Sequence, residues 1–260
     1  MTTRKFSTRH LFLQTSFLFV LTLICSFFSP HLHHHAQAQS QLRSTVYASK
    51  PIRVEDYKKT IRVSCVGDSI TFGAGISNRK QNSYPVQLGK LLGDKFDVKN
   101  FGVNGATLLK KGDKPYWKQG AYKAALAFKP HVVIIKLGTN DTKPNNWKHK
   151  SDYATDYLAM ITEFRKLPSK PRIWLCLPVP AYPERWGIRD TVIKGEVVPL
   201  VLQVAKTSKT TAIDLYTALS NKPKMFPDKI HPNAEGAAVM AKVIANIVAG
   251  IEHPKPKASK

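Results

Sequence analysis

Five short apolar runs recur along the chain, and segments with helical spacing lie between them. Residues 61–66 form the first run and stop at Gly67-Asp68-Ser69. Residues 96–101 alternate apolar and polar and stop at Gly102-Val103-Asn104-Gly105. Residues 131–137 are nearly continuously apolar, as a strand covered on both faces is, and end at Gly138-Thr139-Asn140-Asp141. Residues 172–177 and 211–215 give a fourth strand and a short fifth. Helical spacing follows Ser83, in Val86, Leu88, Leu91 and Leu92, with Gly93 as the stop. A second helix covers 120–128 and ends before Pro130. A third covers 152–165, capped by Ser151, with Tyr153, Tyr157, Met160, Ile161 and Phe164 on one face. Residues 191–206 are read as helical despite Gly195 and Pro199, and Asn233 caps a closing helix to about 249. Strands alternating with helices predict an α/β fold, a mostly parallel sheet with helices on both faces.

The ends of the chain are read differently. Arg4, Lys5, Arg9 and His10 precede an apolar stretch from 11 to 28, and Ala36-Gln37-Ala38 has the form of a cleavage site. Residues 1–38 are therefore expected to be a signal peptide, with an uncleaved signal anchor as the alternative. His31, His33, His34 and His35 look like a metal cluster but would leave with it, so no metal and no cofactor is expected. Residues 39–60 read as a linker with a short ordered piece near 51–54, residues 61–252 as the folded domain, and residues 253–260 as a basic tail.

The chain carries 40 Lys and Arg against 17 Asp and Glu; cleavage removes three basic residues and no acidic ones, leaving a net charge of +20. Such a charge biases an exported protein toward anionic polysaccharide or an envelope surface. The lysines are scattered rather than bunched, and no nucleic-acid motif is visible, so no nucleic-acid partner is expected. Location is expected to be secreted or periplasmic.

Ligands of open α/β sheets bind outside the carboxyl ends of the strands. The segments that follow the strands there are G-D-S-I, G-V-N-G, G-T-N-D and D-K-I-H-P. Ser69 is a candidate nucleophile, His231 a candidate base, and Asp228 can hold the imidazole from three residues upstream. The Ser69 and Gly105 amides and the Asn140 side chain can point at one oxyanion. Each also has a plainer reading: G-D-S as a surface turn, Asn140 in an Asx turn, His231 as a loop histidine, Asp68 and Asp141 as structural carboxylates.

Taken in order, these blocks resemble the SGNH (GDSL-type) hydrolase family, over residues 61–251. Ser69, Gly105, Asn140 and His231 match its four name-giving residues, with Asp228 completing D-x-x-H-P; Ile70 stands where the family usually has Leu. The resemblance implies a flavodoxin-like three-layer α/β/α sandwich with a five-stranded parallel sheet in the order 2-1-3-4-5. In that order the third strand separates Cys65 from Cys176 by two strand spacings, about 9–10 Å, beyond the reach of a disulfide. Two free buried thiols are expected.

The resemblance further implies a two-step acyl transfer by Ser69, His231 and Asp228. The runs G-D-K-P-Y-W and G-T-N-D-T-K-P-N-N-W resemble the sialate O-acetylesterase and carbohydrate acetylesterase branch. Tyr116, Trp117, Trp147, Tyr182 and Trp186 fall on loops of the predicted active face and suit sugar rings, or else anchor those loops. The expected substrate is an acylated small molecule or glycan, and the reading is an exported esterase removing acetyl groups. A lysophospholipase or thioesterase on the same residues, and a silent glycan-binding module, are the alternatives. A nucleotide-binding flavodoxin is disfavoured, because no phosphate-cradling glycine loop opens a helix.

Overall fold

A computed structural model describes residues 49–251. The signal peptide, its cleavage site and histidines, residues 39–48 and the basic tail at 253–260 lie outside the described residues. Five parallel strands form one sheet: β1 Ile61–Gly67, β2 Phe96–Gly102, β3 Val132–Lys136, β4 Arg172–Cys176 and β5 Thr211–Ile213. Their order is β2-β1-β3-β4-β5, the one the resemblance implied. The longer helices are α1 Tyr84–Leu92, α2 Gly120–Ala127, α3 Tyr153–Arg165, α4 Val198–Ser208 and α5 Ala234–Ala249.

The strand period of two sends alternate side chains to opposite faces. On one face Val133, Ile135 and Leu175 meet α2, α3 and α4 through Ala125, Tyr157, Phe164 and Val201. On the other, Val63, Cys65, Ile134 and Trp174 meet α1 and α5 through Leu88, Met240 and Ile244. With layers on both sides every residue of β3 is buried, hence the continuous apolar run in the sequence.

Local chemistry sets several boundaries. The Asn233 side chain accepts from the Gly236 amide and starts α5, and Gly250 in the left-handed region ends it. Ser151 does not cap α3. A 3-10 turn, Lys150–Asp152, runs straight into the helix, so the Asp152 amide bonds to the His149 carbonyl and no side-chain cap forms. Pro199 has no amide to donate; a π segment, Ile193–Val197, widens the backbone ahead of it, and α4 begins with this proline in its first turn. The short ordered piece expected near 51–54 is anchored to the domain. Ile52 is buried and its amide donates to the Val248 carbonyl at 2.7 Å, which ties the segment to the end of α5.

Cys65 and Cys176 are free, fully buried, and separated by β3. Burial pushes the Cys176 thiol up to about 12 and the Cys65 thiol higher still. A thiol held neutral and away from solvent does not react. Iodoacetamide followed by peptide mass spectrometry is expected to modify neither residue at pH 8 in the folded protein, and both in 6 M guanidinium. Modification of either one under native conditions contradicts this packing.

Candidate active site

The site is built at the carboxyl ends of β1, β2 and β3 and on the loop before α5. β1 ends at Gly67, and Asp68 caps a one-turn helix, Ser69–Phe72, by accepting from the Ile70 amide at 3.0 Å. Ser69 is the first residue of that helix and is 8% exposed. The glycines around it are there for space. A Cβ on Gly67 would overlap the Thr71 hydroxyl and the Lys136 carbonyl, and one on Gly102 would overlap the Phe72 backbone. The helix can therefore sit against the ends of β1 and β2 only if both strands close on glycine.

The loop that carries Asp228 and His231 is anchored at several points. Ile230 is buried, the Tyr182 amide donates to the Lys229 carbonyl at 2.8 Å, and the Asn233 amide donates to the Met225 carbonyl at 2.7 Å. Asp228 Oδ1 accepts from the His231 amide at 2.7 Å and the Ile230 amide at 3.0 Å. Its Oδ2 is 2.7 Å from His231 Nδ1, and His231 Nε2 is 2.8 Å from Ser69 Oγ. Carboxylate, imidazole and hydroxyl thus form one hydrogen-bonded line, although Ser69 and His231 lie 162 residues apart.

Desolvation pulls the Asp228 carboxyl up, but the His231 amide, the His231 ring and the Ile230 amide together outweigh it and hold the group below its usual range. A carboxyl lowered on folding stabilises the fold at neutral pH, and that contribution is lost only as pH falls through the lowered value. Asp228 therefore stays ionised against the ring in mildly acidic conditions.

Gly105 has φ of 76°, in the region that favours glycine, and Asn140 opens a 3-10 turn after β3. The Asn140 side chain donates one N–H to the Ala106 carbonyl at 3.1 Å, which leaves its second N–H for another acceptor. The Ser69 and Gly105 amides have no acceptor among the described residues. A cavity of about 320 Å³ is lined by Ser69, Gly105, Asn140 and His231, together with Ala74, Asn104, Lys143, Trp186 and Ile188. All five residues expected at the reacting centre come together, with Asp228 one shell behind His231. Three donors beside a hydroxyl and a base are the parts that acyl transfer requires.

The aromatic candidates divide. Trp186 lines the cavity, is 55% exposed, and its ring centroid is 5.7 Å from that of His231. It sits with Gly187 in a two-residue turn between Arg185 and Ile188, and both central residues have positive φ, 55° and 76°. The other four are corrections. Tyr116 is fully buried and donates to the Phe101 carbonyl; Trp117 donates to the Leu108 carbonyl and packs on Tyr122. Trp147 is buried and donates to Glu196, and Tyr182 donates to the Leu219 carbonyl and packs on Phe226. Their polar tips and ring faces are already used to pin loops.

Sequence reasoning passed over Lys143, Asn104 and Ile188 on the cavity wall, and also Asn146. The Asn146 amide donates to the Asn140 carbonyl at 2.9 Å and to Asp113 at 3.0 Å, which fixes the Asn140 turn from below. Asp141 is fully buried and accepts from the Leu108 and Leu109 amides, holding the loop that follows Gly105. Burial pushes Asp141 up to about 7 against those two amides, which favour its charged form. Among the described residues no group of three or more His, Cys, Asp or Glu is placed to hold a metal ion.

The chain is similar to several known proteins. An acetylxylan esterase from Xylanibacter ruminicola is 45% identical over 203 residues, 71% of this chain and 42% of that protein; the chain thus spans about two fifths of that relative's length. The fold resembles Est24, a carbohydrate acetylesterase from Sinorhizobium meliloti, at a TM-score of 0.60 and 20% identity over 72% of this chain and 97% of that one. It resembles the aryl esterase of M. smegmatis equally, again at 0.60 and 20% over the same shares. The GDSL-like Lipase/Acylhydrolase family matches residues 65–239, and the chain belongs to that family.

Proposed function

We infer that the protein is an exported serine esterase that removes acetyl groups from a carbohydrate. The observation that carries the reading is the line from Asp228 Oδ2 through His231 to Ser69 Oγ, with links of 2.7 and 2.8 Å. His231 Nε2 takes the Ser69 proton as Oγ attacks the ester carbonyl. The negative oxygen is received by the Ser69 and Gly105 amides and the free N–H of Asn140. His231 then gives the proton to the leaving alcohol oxygen, and a water molecule repeats the sequence on the acyl-enzyme. Asp228 keeps the proton of the neutral ring on Nδ1, so that Nε2 faces the serine as an acceptor.

Two features support a short acyl group on a sugar. The cavity of about 320 Å³ is at the small end for a ligand site, and at its rim Trp186, 55% exposed with the Arg185 guanidinium 4.4 Å over its ring, places aromatic surface beside His231 for a sugar ring. The likeness to an acetylxylan esterase points the same way. Export is inferred from the N-terminal pattern, and anionic polysaccharide or envelope surface as a partner from the surplus of basic residues.

The test is a panel of acetylated xylo-oligosaccharides, other acetylated sugars, p-nitrophenyl esters of rising chain length and lysophospholipids. Activity is expected to be highest on acetyl esters and to fall steeply with chain length. Trp186→Ala is expected to raise KM for the acetylated oligosaccharide about 3- to 10-fold, as loss of a stacking face does, and to leave kcat for p-nitrophenyl acetate nearly unchanged. Inert acetylated sugars alongside turnover of long-chain esters or lysophospholipids would replace the carbohydrate reading with a lipid one.

A further inference from the structure

Lys136 closes β3, and its side chain and that of Asp68 are both 0% exposed. A buried ammonium needs three acceptors, and this one has them. Its Nζ lies 3.2 Å from Asp68 Oδ1, 3.0 Å from Asp68 Oδ2 and 2.7 Å from Thr139 Oγ1. Asp68 is the residue before Ser69, and Thr139 is the residue before Asn140. One side chain therefore holds both the turn that presents the hydroxyl and the turn that presents the amide.

Stability alone does not account for a lysine at this position. The other four residues of β3 are Val or Ile, and removing two charges from water offsets most of their attraction. Burial lowers the Lys136 pKa and the Asp68 charge opposes that shift. The Asn140 turn is also tied to the loop of the Gly105 donor, since Asn140 Nδ2 donates to the Ala106 carbonyl and Asp141 accepts from the Leu108 and Leu109 amides.

We propose that Lys136 is a positioning residue, whose ammonium ties the Asp68 and Thr139 turns together and sets the separation between the Ser69 hydroxyl and the Asn140 amide. It touches no substrate, and its role rests on the acyl-transfer reading of the site.

Two variants test it. Lys136→Met keeps the length of the side chain and leaves Asp68 as an unpaired buried charge. Lys136→Met with Asp68→Asn removes both charges and keeps an acceptor for the Ile70 amide. Each is assayed for kcat and KM on p-nitrophenyl acetate, for the rate of fluorophosphonate labelling, and for thermal unfolding. The single variant is expected to lose both stability and kcat. The double variant is expected to regain the wild-type Tm and yet keep a kcat lower by roughly 10²-fold, as a misplaced reacting group does, with KM within about threefold. Its fluorophosphonate labelling slows by a similar factor.

A double variant with wild-type kcat overturns the proposal, as does one whose loss lies entirely in KM. Should the single variant fail to fold, the double variant decides by itself. Wild-type protein that neither hydrolyses the ester nor takes the label would instead overturn the acyl-transfer reading beneath it.

Discussion

Ser69→Ala is expected to lower kcat for p-nitrophenyl acetate by on the order of 10⁶-fold, to the level left by oxyanion donors and binding alone. Among the described residues no other hydroxyl lies on the cavity wall to replace it, since the wall is completed by Ala74, Asn104, Gly105, Asn140, Lys143, Trp186, Ile188 and His231. The Ser69 side chain bonds only His231 among the described residues, so the fold loses one partly buried hydrogen bond, worth about 1 kcal/mol. Tm should therefore move by only a few degrees while activity disappears. A Ser69→Ala protein that retains more than a few per cent of wild-type kcat would show that another group attacks.

His231→Ala is expected to cost about as much, again on the order of 10⁶-fold in kcat. Among the described residues the imidazole is the only group within hydrogen-bond distance of Ser69 Oγ, so without it the hydroxyl has no base. The two residues act as a unit, and the Ser69→Ala/His231→Ala double variant should be no slower than either single variant, where independent contributions would multiply. Folding should survive, because the Asp228 loop is also held by the Ile230 amide and by its bonds to residues 182 and 233. Multiplicative losses in the double variant would mean that serine and histidine serve separate steps.

Much of this arrangement was legible in the sequence, for a physical reason. Residues that must meet above a parallel sheet sit just after strands, so G-D-S-I, G-V-N-G and G-T-N-D each appear where an apolar run ends, while D-K-I-H-P stands just before the closing helix. Close approach adds glycines, and Gly67 and Gly102 mark it in the sequence as they do in space. The strand order, by contrast, came from the family likeness and not from the apolar pattern. What the sequence left open depends on neighbours distant along the chain. Tyr116, Trp117, Trp147 and Tyr182 have the same composition signal as Trp186, and only the partner of each polar tip separates a loop anchor from a cavity wall. Residues 49–60 look like a polar linker because their contacts, at Val248 and Thr211, are remote in sequence. Lys136 did leave a trace, a lone cation inside an otherwise apolar strand, and such a residue is worth reading as a clue to a buried partner.

The claim on which the rest depends is that the hydroxyl at 69 is the group activated by the imidazole at 231. Reaction with a fluorophosphonate, followed by digestion and mass spectrometry, tests it without any assumption about the natural substrate. The adduct is expected on the peptide containing Ser69, in wild-type protein only, and to be absent after either Ser69→Ala or His231→Ala. An adduct on a different residue, or labelling of the His231→Ala protein at the wild-type rate, would contradict it.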